Sequence, residues 1–101
     1  MWVVVLFDLP VDTPDARRKY TRFRKGLLRD GFTKMQYSVY IRHCSSIENA
    51  DVHTKRVRWM VPDDGEVRIL VLTDKQYERM EVLWGKTRKP PEDAPRQLEL
   101  F

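Results

Sequence analysis

The sequence predicts an α+β domain in which an antiparallel sheet carries two helices on one face. Two runs of apolar and β-branched residues, WVVVLFD at 2–8 and EVRILVLT at 66–73, have the composition of buried strands. Between them, two stretches place apolar residues at the three- and four-residue spacing of amphipathic helices. The chain has 101 residues, which is the length of one domain.

The first strand and the first helix have well-defined predicted ends. Residues 2–8 are apolar on both faces, as expected of a central strand. Thr13-Pro14-Asp15 is typical of a helix start, because Thr caps, Pro fits the first helical position and Asp favours the positive end of the helix dipole. The helix is expected to run to about Asp30, with Gly31 just beyond its end. Its predicted apolar stripe consists of Ala16, Tyr20, Phe23 and Leu27.

Short strands are expected next, at residues 32–35 and 38–42, where apolar and polar side chains alternate. The stretch 45–48, SSIE, predicts a capping box that opens a second helix. The apolar spacing predicts that one face of this helix points to the core: Ile47, Ala50, His53, Val57 and Met60. A turn at 62–65 and the strand at 66–73 follow, and residues 80–85, MEVLWG, are expected to form a further strand.

The resulting order is β-α-β-β-α-β with an additional C-terminal strand, which is the ferredoxin-like arrangement. We assign residues 1–85 to this domain. Residues 86–101 contain three prolines and mixed charges, and we expect an extended tail there. Its last apolar residues, Leu98, Leu100 and Phe101, are the predicted partner-docking segment. The fold by itself does not decide a function.

Positive charge is concentrated in the first half of the chain. Residues 1–45 hold nine Lys and Arg against four Asp and Glu, and the excess lies between positions 17 and 34. Such a cluster favours a polyanionic partner, although a solvated helix face would have the same composition. The candidate phosphate-binding residues are Arg17, Arg18, Arg22 and Lys25, with Ser38 in a strand connection as a further candidate. For Ser38, a purely structural role in a tight turn stays equally open.

Asp8 ends the most hydrophobic strand of the chain. A structural interpretation is that the carboxylate caps the turn through Pro10 or is exposed to solvent at the strand end. A functional interpretation is that it serves as a metal ligand or general base. Mg²⁺ is often held by one or two carboxylates together with waters and substrate phosphate. One Asp makes a poor site, but two copies facing each other across a two-fold axis would make a plausible one.

The remaining candidates favour structural roles. His53 falls on the predicted core face, so we expect a buried histidine with a hydrogen-bond partner. His43 could act as a general base only if it lay near Asp8. Cys44 is the single cysteine, which excludes an internal disulfide and fits a reducing, cytoplasmic setting. We expect no signal peptide and no membrane association, because no basic leader or spanning apolar run is present.

These motifs together resemble the small CRISPR-associated protein two family, the partner of the CRISPR integrase in the acquisition of new spacers. The resemblance covers roughly residues 1–85 and is carried by VVVLFDLP, DARRKY and LLRDGFTKMQYSVYIRH. The matching positions are Asp8, Arg17, Arg18, Gly31, Gln36, Ser38, Val39 and Tyr40. The tail ending QLELF is similar to the form found beside type II systems. Phe7 departs from the pattern, because many members carry tyrosine there.

The resemblance implies a ferredoxin-like homodimer in which Asp8 of each copy meets near the dimer axis and binds Mg²⁺. It implies that the dimer bridges two integrase dimers and holds duplex DNA. It also implies a metal-dependent endonuclease on RNA or DNA as a second role, with Asp8 as catalytic residue. The absence of a tyrosine hydroxyl at Phe7 counts against hydrolysis but not against the fold. The two roles are compatible in one protein, and we favour the scaffold as the main one. The alternative is a non-CRISPR metal-dependent nuclease or a toxin-like regulatory module of the same fold.

Overall fold

The computed structural model describes residues 1–85 and contains, within them, four strands and three helices. In chain order these are β1 (Trp2–Asp8), α1 (Pro14–Arg29), β2 (Thr33–Gln36), β3 (Val39–His43), α2 (Ile47–Met60), β4 (Glu66–Leu72) and α3 (Asp74–Glu78). The strands form one antiparallel sheet in the order β2-β3-β1-β4, which confirms the ferredoxin-like prediction. The predicted tail at 86–101, with Leu98, Leu100 and Phe101, lies outside the described residues.

The strand β1 is central, as its composition predicts. It pairs with β3 from Trp2 to Leu6 and with β4 along its whole length. Val3, Val5 and Phe7 are buried in the core shared with α1 and α2, while Val4 is buried on the opposite face. The apolar run is therefore required at residues 3–5, because Val3 and Val5 are buried on one face of the sheet and Val4 on the other.

The helix α1 has the ends that the sequence predicts. The Thr13 hydroxyl accepts a hydrogen bond from the backbone N–H of Ala16 at 3.0 Å. Gly31 follows the helix with φ of +90°, a conformation that glycine adopts without strain. Phe23 and Leu27 are fully buried, so the predicted apolar stripe faces the sheet.

The helix α2 begins one residue later than predicted. Ser46 is the N-cap and its hydroxyl accepts from the backbone N–H of Asn49 at 3.0 Å. The third helical residue is thus Asn49 rather than Glu48, and the predicted capping box is wrong. Ile47 is also wrong as a core residue, because at the first helical position it is 56% exposed. Ala50, His53 and Val57 are buried as predicted.

Asp30 joins the end of α1 to α2 and β3. Its carboxylate bonds to His53 Nδ1 at 2.7 Å and accepts from Arg56 Nη1 at 2.8 Å, while Arg42 Nε donates to its carbonyl at 2.8 Å. Burial by itself would raise the pKa of Asp30, but the hydrogen bonds from His53 and Arg56 outweigh it and lower the pKa. The prediction of a buried histidine with a partner is confirmed.

Within residues 1–85, the face of the sheet away from α1 and α2 is covered at one end only. There α3 places Tyr77 over Trp2, with the two rings stacked at 3.9 Å. This helix is not among the elements predicted from the sequence, although Thr73 and Gln76 form a complete capping box at its start. Towards the other end, Leu6, Met35, Val39 and Leu70 remain partly or largely exposed, and we call these four residues the open face.

The additional strand predicted at residues 80–85 is wrong for this chain, because residues 81–85 form neither strand nor helix. A strand needs a neighbouring backbone with which to pair. Leu83 is instead 85% exposed, so its side chain lies in solvent.

Cys44 is buried beside the N-terminal residue, and its backbone N–H donates to the Met1 carbonyl at 2.7 Å. Burial raises the pKa of its thiol, in agreement with the predicted packing role. None of the helices within residues 1–85 has the length and hydropathy to cross a membrane.

Candidate metal site and nucleic-acid interface

Asp8 lies at the exposed end of β1, on the side of the sheet that carries the four residues of the open face. Successive side chains of a strand point to opposite faces, and Phe7 is buried on the helix side. Asp8 therefore shares its face with Leu6. A rigid, doubly paired strand thus holds an exposed carboxylate beside an uncovered apolar surface.

Glu66 is the nearest neighbour of Asp8 across the sheet, since the two residues are partners in the register of β1 and β4. Directly opposed side chains of antiparallel strands lie on one face with Cβ atoms about 5 Å apart. Arg68 Nε donates to Glu66 Oε1 at 2.6 Å, which offsets part of the negative charge there. Glu66 is not among the site residues predicted from the sequence, because the register of β4 against β1 is a tertiary property.

The turn before β4 is packed tightly against the backbone of Asp8. Gly65 has φ of +96°, and a Cβ built on it would lie 2.7 Å from the Asp8 carbonyl oxygen. Glycine is therefore required on both steric and conformational grounds. The turn predicted at 62–65 is thus part of the support that holds Asp8.

The donor set at Asp8 suits Mg²⁺ in kind but is incomplete in a single chain. Carboxylate oxygens are ligands that Mg²⁺ uses, together with several waters. Among residues 1–85, no group of three or more His, Cys, Asp or Glu side chains is arranged to hold a metal ion. A magnesium site here would need water, phosphate or a second copy of the chain to supply the remaining ligands.

His43 lies at the opposite end of the sheet from Asp8. It pairs with Trp2 in the register, six residues from Asp8 along β1, a separation of roughly 20 Å at the usual rise of a strand. Its Nε2 lies instead 3.5 Å from Asp74 Oδ1. His43 cannot serve as a general base for Asp8 within one chain.

Ser38 lies close to Asp8 through the backbone, because its carbonyl accepts from the N–H of Phe7 at 3.0 Å. It occupies the turn between β2 and β3 with φ of +60°. The turn interpretation is confirmed, and a role in phosphate binding stays a prediction. The Phe7 ring itself packs among Tyr20, Phe23 and Tyr40 on the other face, so the missing hydroxyl affects the core rather than the Asp8 carboxylate.

The basic side chains of α1 form one continuous surface on its outer side. We call this surface the basic stripe; it consists of Arg17, Arg18, Arg22, Lys25 and Arg29, all exposed. With Pro14 and Thr21 they line a shallow hollow of about 580 Å³. Their three- and four-residue spacing places them on the face opposite Phe23 and Leu27.

Most of the basic stripe carries uncompensated charge. Arg18 pairs with Asp15 at 3.2 Å. Hydrogen bonds from Arg18 and Lys19 lower the pKa of the Asp15 carboxyl. Arg17 Nη1 donates to the Val11 carbonyl at 3.1 Å. No ion pair with another described residue engages Arg22, Lys25 or Arg29. The stripe lies on the helix side of the sheet, so a single chain does not bring it together with Asp8.

A further surface feature that the sequence analysis missed is Trp59 near the end of α2, which is 90% exposed. A pattern in the sequence points to it, since the helical spacing that directs Val57 and Met60 to the core leaves residue 59 off that face. The chain thus carries a large aromatic side chain outside its core.

The model of the family described as CRISPR associated protein Cas2 matches residues 1–80. A Parvibaculum lavamentivorans protein named CRISPR-associated endoribonuclease Cas2 is 61% identical over 101 residues, which span both chains completely. A Flavobacterium psychrophilum protein of the same name is 46% identical over all of this chain and 88% of its own length. The crystal structure of Streptococcus pyogenes Cas2 at pH 6.5 superposes with a TM-score of 0.61 and 25% identity, covering 83% of this chain and all of that one.

Proposed function

The chain belongs to the CRISPR-associated Cas2 family, and from that premise we propose that it is a homodimeric scaffold that binds duplex DNA and bridges integrase dimers during spacer acquisition. The observation that carries this proposal is the basic stripe, where exposed guanidinium and ammonium groups lie in a row along one helix. Family membership favours this function over a non-CRISPR nuclease or a toxin-like module. The cytoplasm, where the chromosome lies, is the corresponding location.

Dimerisation is supported by the open face. Leu70 is 50% exposed beside the partly buried Leu6 and Val39. Contiguous exposed apolar surface is characteristic of interaction sites, and burial of this surface against a second copy removes it from water. A two-fold contact through this face repeats every residue, so it would bring the two Asp8 carboxylates towards one axis.

DNA binding by the basic stripe should be independent of the base sequence. Arginine forms bidentate contacts with phosphate oxygens, and such contacts set the position of a duplex without reading its bases. Arg17, Arg22 and Arg29 are therefore assigned to backbone contacts. The dimer presents two copies of the stripe, which increases the length of duplex that it can hold.

A second candidate function is Mg²⁺-dependent cleavage of RNA or DNA at Asp8. The name endoribonuclease borne by the relatives and the exposed carboxylate opposite Glu66 favour it. Asp8 of each copy would anchor Mg²⁺, and Glu66 would hold its water ligands. When bound, the metal supplies a Lewis acid for the phosphate group and an activated water. Asp8 itself is held in place by the β1 backbone and by the close approach of Gly65.

The deciding experiment is reconstitution with the neighbouring integrase on a short DNA duplex, with and without Mg²⁺. We expect the wild-type chain and Asp8→Asn to form the same bridged complex, since the stripe is unchanged. Any cleavage of RNA or DNA should be lost in Asp8→Asn and kept in Asp12→Asn, a matched change of an exposed carboxylate. Failure of the wild-type chain to join integrase and duplex would refute the scaffold, and cleavage by Asp8→Asn at the wild-type rate would refute the nuclease.

The docking role of the C-terminal residues is tested separately. Deleting residues 96–101, which include Leu98, Leu100 and Phe101, should weaken binding to the integrase and leave the dimer intact. An apolar segment of this kind can add a strand to the sheet edge of a partner. Full integrase affinity in a pull-down with the truncated chain would contradict this role.

A further inference from the structure

Beside the basic stripe, a groove runs between α1 and α2 and is bordered by Trp59. It has a volume of about 430 Å³ and includes Lys19, Arg22 and Arg29 of α1 and Met60 of α2. Arg22 and Arg29 belong to both the groove and the hollow of the stripe. The two surfaces are therefore continuous.

Gly26 determines the shape of this groove. A Cβ at that position would lie 2.6 Å from Met60 Sδ, so the absence of a side chain lets Met60 pack against the α1 backbone. Trp59 is the preceding residue, rotated by about 100° around α2, and it stands outside the gap that Met60 fills. Arg22 and Arg29, one turn to either side of Gly26, flank the same opening.

The charges of the groove select a polyanion. Lys19, Arg22 and Arg29 line it against a single acidic residue, Asp63. Lys19 lies 3.3 Å from Asp15, whereas Arg22 and Arg29 have no ion-pair partner within residues 1–85. An aromatic side chain beside uncompensated cations is the arrangement with which proteins bind unpaired nucleic acid, since bases stack on the ring and cations contact the phosphates.

We propose that Trp59 is a stacking site for an unpaired base of single-stranded nucleic acid, whose phosphates lie on Arg22 and Arg29. This inference rests on the proposed binding of nucleic acid by the basic stripe. It adds a preference for a substrate with a single-stranded tail beside its duplex. The RNA-recognition type of stacking platform on a sheet is not involved, because Trp59 lies on a helix.

The test compares three substrates with the full-length chain: a blunt duplex, the same duplex with a short thymidine tail, and the duplex with an abasic tail of equal charge. Trp59→Ala should lower affinity for the thymidine tail about tenfold and leave the other two affinities unchanged, since one stacked base contributes about that factor. Trp59→Phe should retain most of the affinity. Val52→Ala, which removes an exposed apolar side chain from the same helix, should change none of the three.

Indole fluorescence gives a second measurement. The thymidine tail should quench the wild-type chain more than it quenches Trp59→Phe, because the other two tryptophans are common to both proteins. If Trp59→Ala loses equal affinity for the thymidine and abasic tails, or loses none for either, Trp59 does not stack on a base and the inference is overturned. Failure of the wild-type chain to bind the blunt duplex would instead refute the proposed function.

Discussion

At the scale of single residues, Asp30 has the largest predicted effect on stability. Asp30→Asn removes the charge that His53 and Arg56 share, and we expect it to lower the free energy of unfolding by about 2 kcal/mol, as for charged hydrogen bonds. Urea denaturation measures this loss. Asp51→Asn, a change of an exposed carboxylate on α2, is the control and should be close to neutral.

The same carboxylate predicts a loss of stability in acid. Because the pKa of Asp30 in the folded chain lies below its ordinary value of 3.8, its contribution is complete above that value and is lost as the pH falls through the folded pKa. The gap in unfolding free energy between wild type and Asp30→Asn should therefore narrow below about pH 4. A gap that is the same at pH 3 and pH 7 would contradict the assignment.

Unlike Asp30, Tyr77 carries a polar group whose removal should not lower the stability of the fold. Its hydroxyl is buried with no hydrogen-bond partner in the described part of the chain, and burial raises the pKa of Tyr77 to about 12. Tyr77→Phe removes an unsatisfied group and keeps the ring stacked on Trp2, so thermal unfolding should show equal or higher stability, by up to about 1 kcal/mol. A clear loss would show that the hydroxyl gains a partner when the chain assembles.

Residue-level predictions from sequence succeed where the cause is local. The caps Thr13 and Gly31 and the buried His53 follow from spacing and helix chemistry, and all are confirmed. The partner of His53 lies 23 positions away, so no local pattern could identify it. Glu66 beside Asp8 was missed for the same reason, since only the strand register places them together.

At the scale of elements, the basic stripe follows from helical periodicity, because the buried Phe23 and Leu27 leave the arginines on the outer side of α1. The prediction from sequence omits the short helix α3 and places a strand at 80–85 that the structure does not contain. A helix of five residues has little periodicity to detect, and strand formation at 80–85 depends on a pairing partner rather than on composition.

The stripe predicts a measurable salt dependence of DNA binding. Replacing Arg17, Arg18 and Arg22 together with Gln should weaken duplex binding and flatten the plot of log affinity against log salt, by up to ~3 units of slope. Arg18 should contribute least, because Asp15 already pairs with it. The matched control neutralises Lys55, Lys75 and Arg79, and an equal change of slope in that control would place the phosphate contacts elsewhere.

At the scale of the whole molecule, the open face predicts self-association. Leu70→Lys puts a charge into the proposed interface, so sedimentation should show a folded monomer, because burial of an unpaired charge is unfavourable. Val52→Lys changes a residue of similar exposure on the helix side and should remain dimeric. A Leu70→Lys dimer of wild-type stability would exclude this face from the contact.

The segregation of apolar and charged surfaces was only partly predictable. The sequence places the positive charge in the first half of the chain, but only the burial of Phe7 against the helices shows that the stripe and Asp8 lie on opposite sides of the sheet. Helical spacing places Trp59 off the core face of α2, and its 90% exposure shows that no other part of residues 1–85 covers the ring.

Because Cys44 is buried, the rate at which its thiol reacts can be used to measure local opening of the wild-type chain. A thiol reagent can reach the sulfur only when the neighbourhood of Met1 and β3 separates, so the rate of its modification measures how often that happens. If a surface cysteine is introduced for spectroscopic labelling, the label should react only at that position in the folded protein. Cys44 therefore need not be replaced.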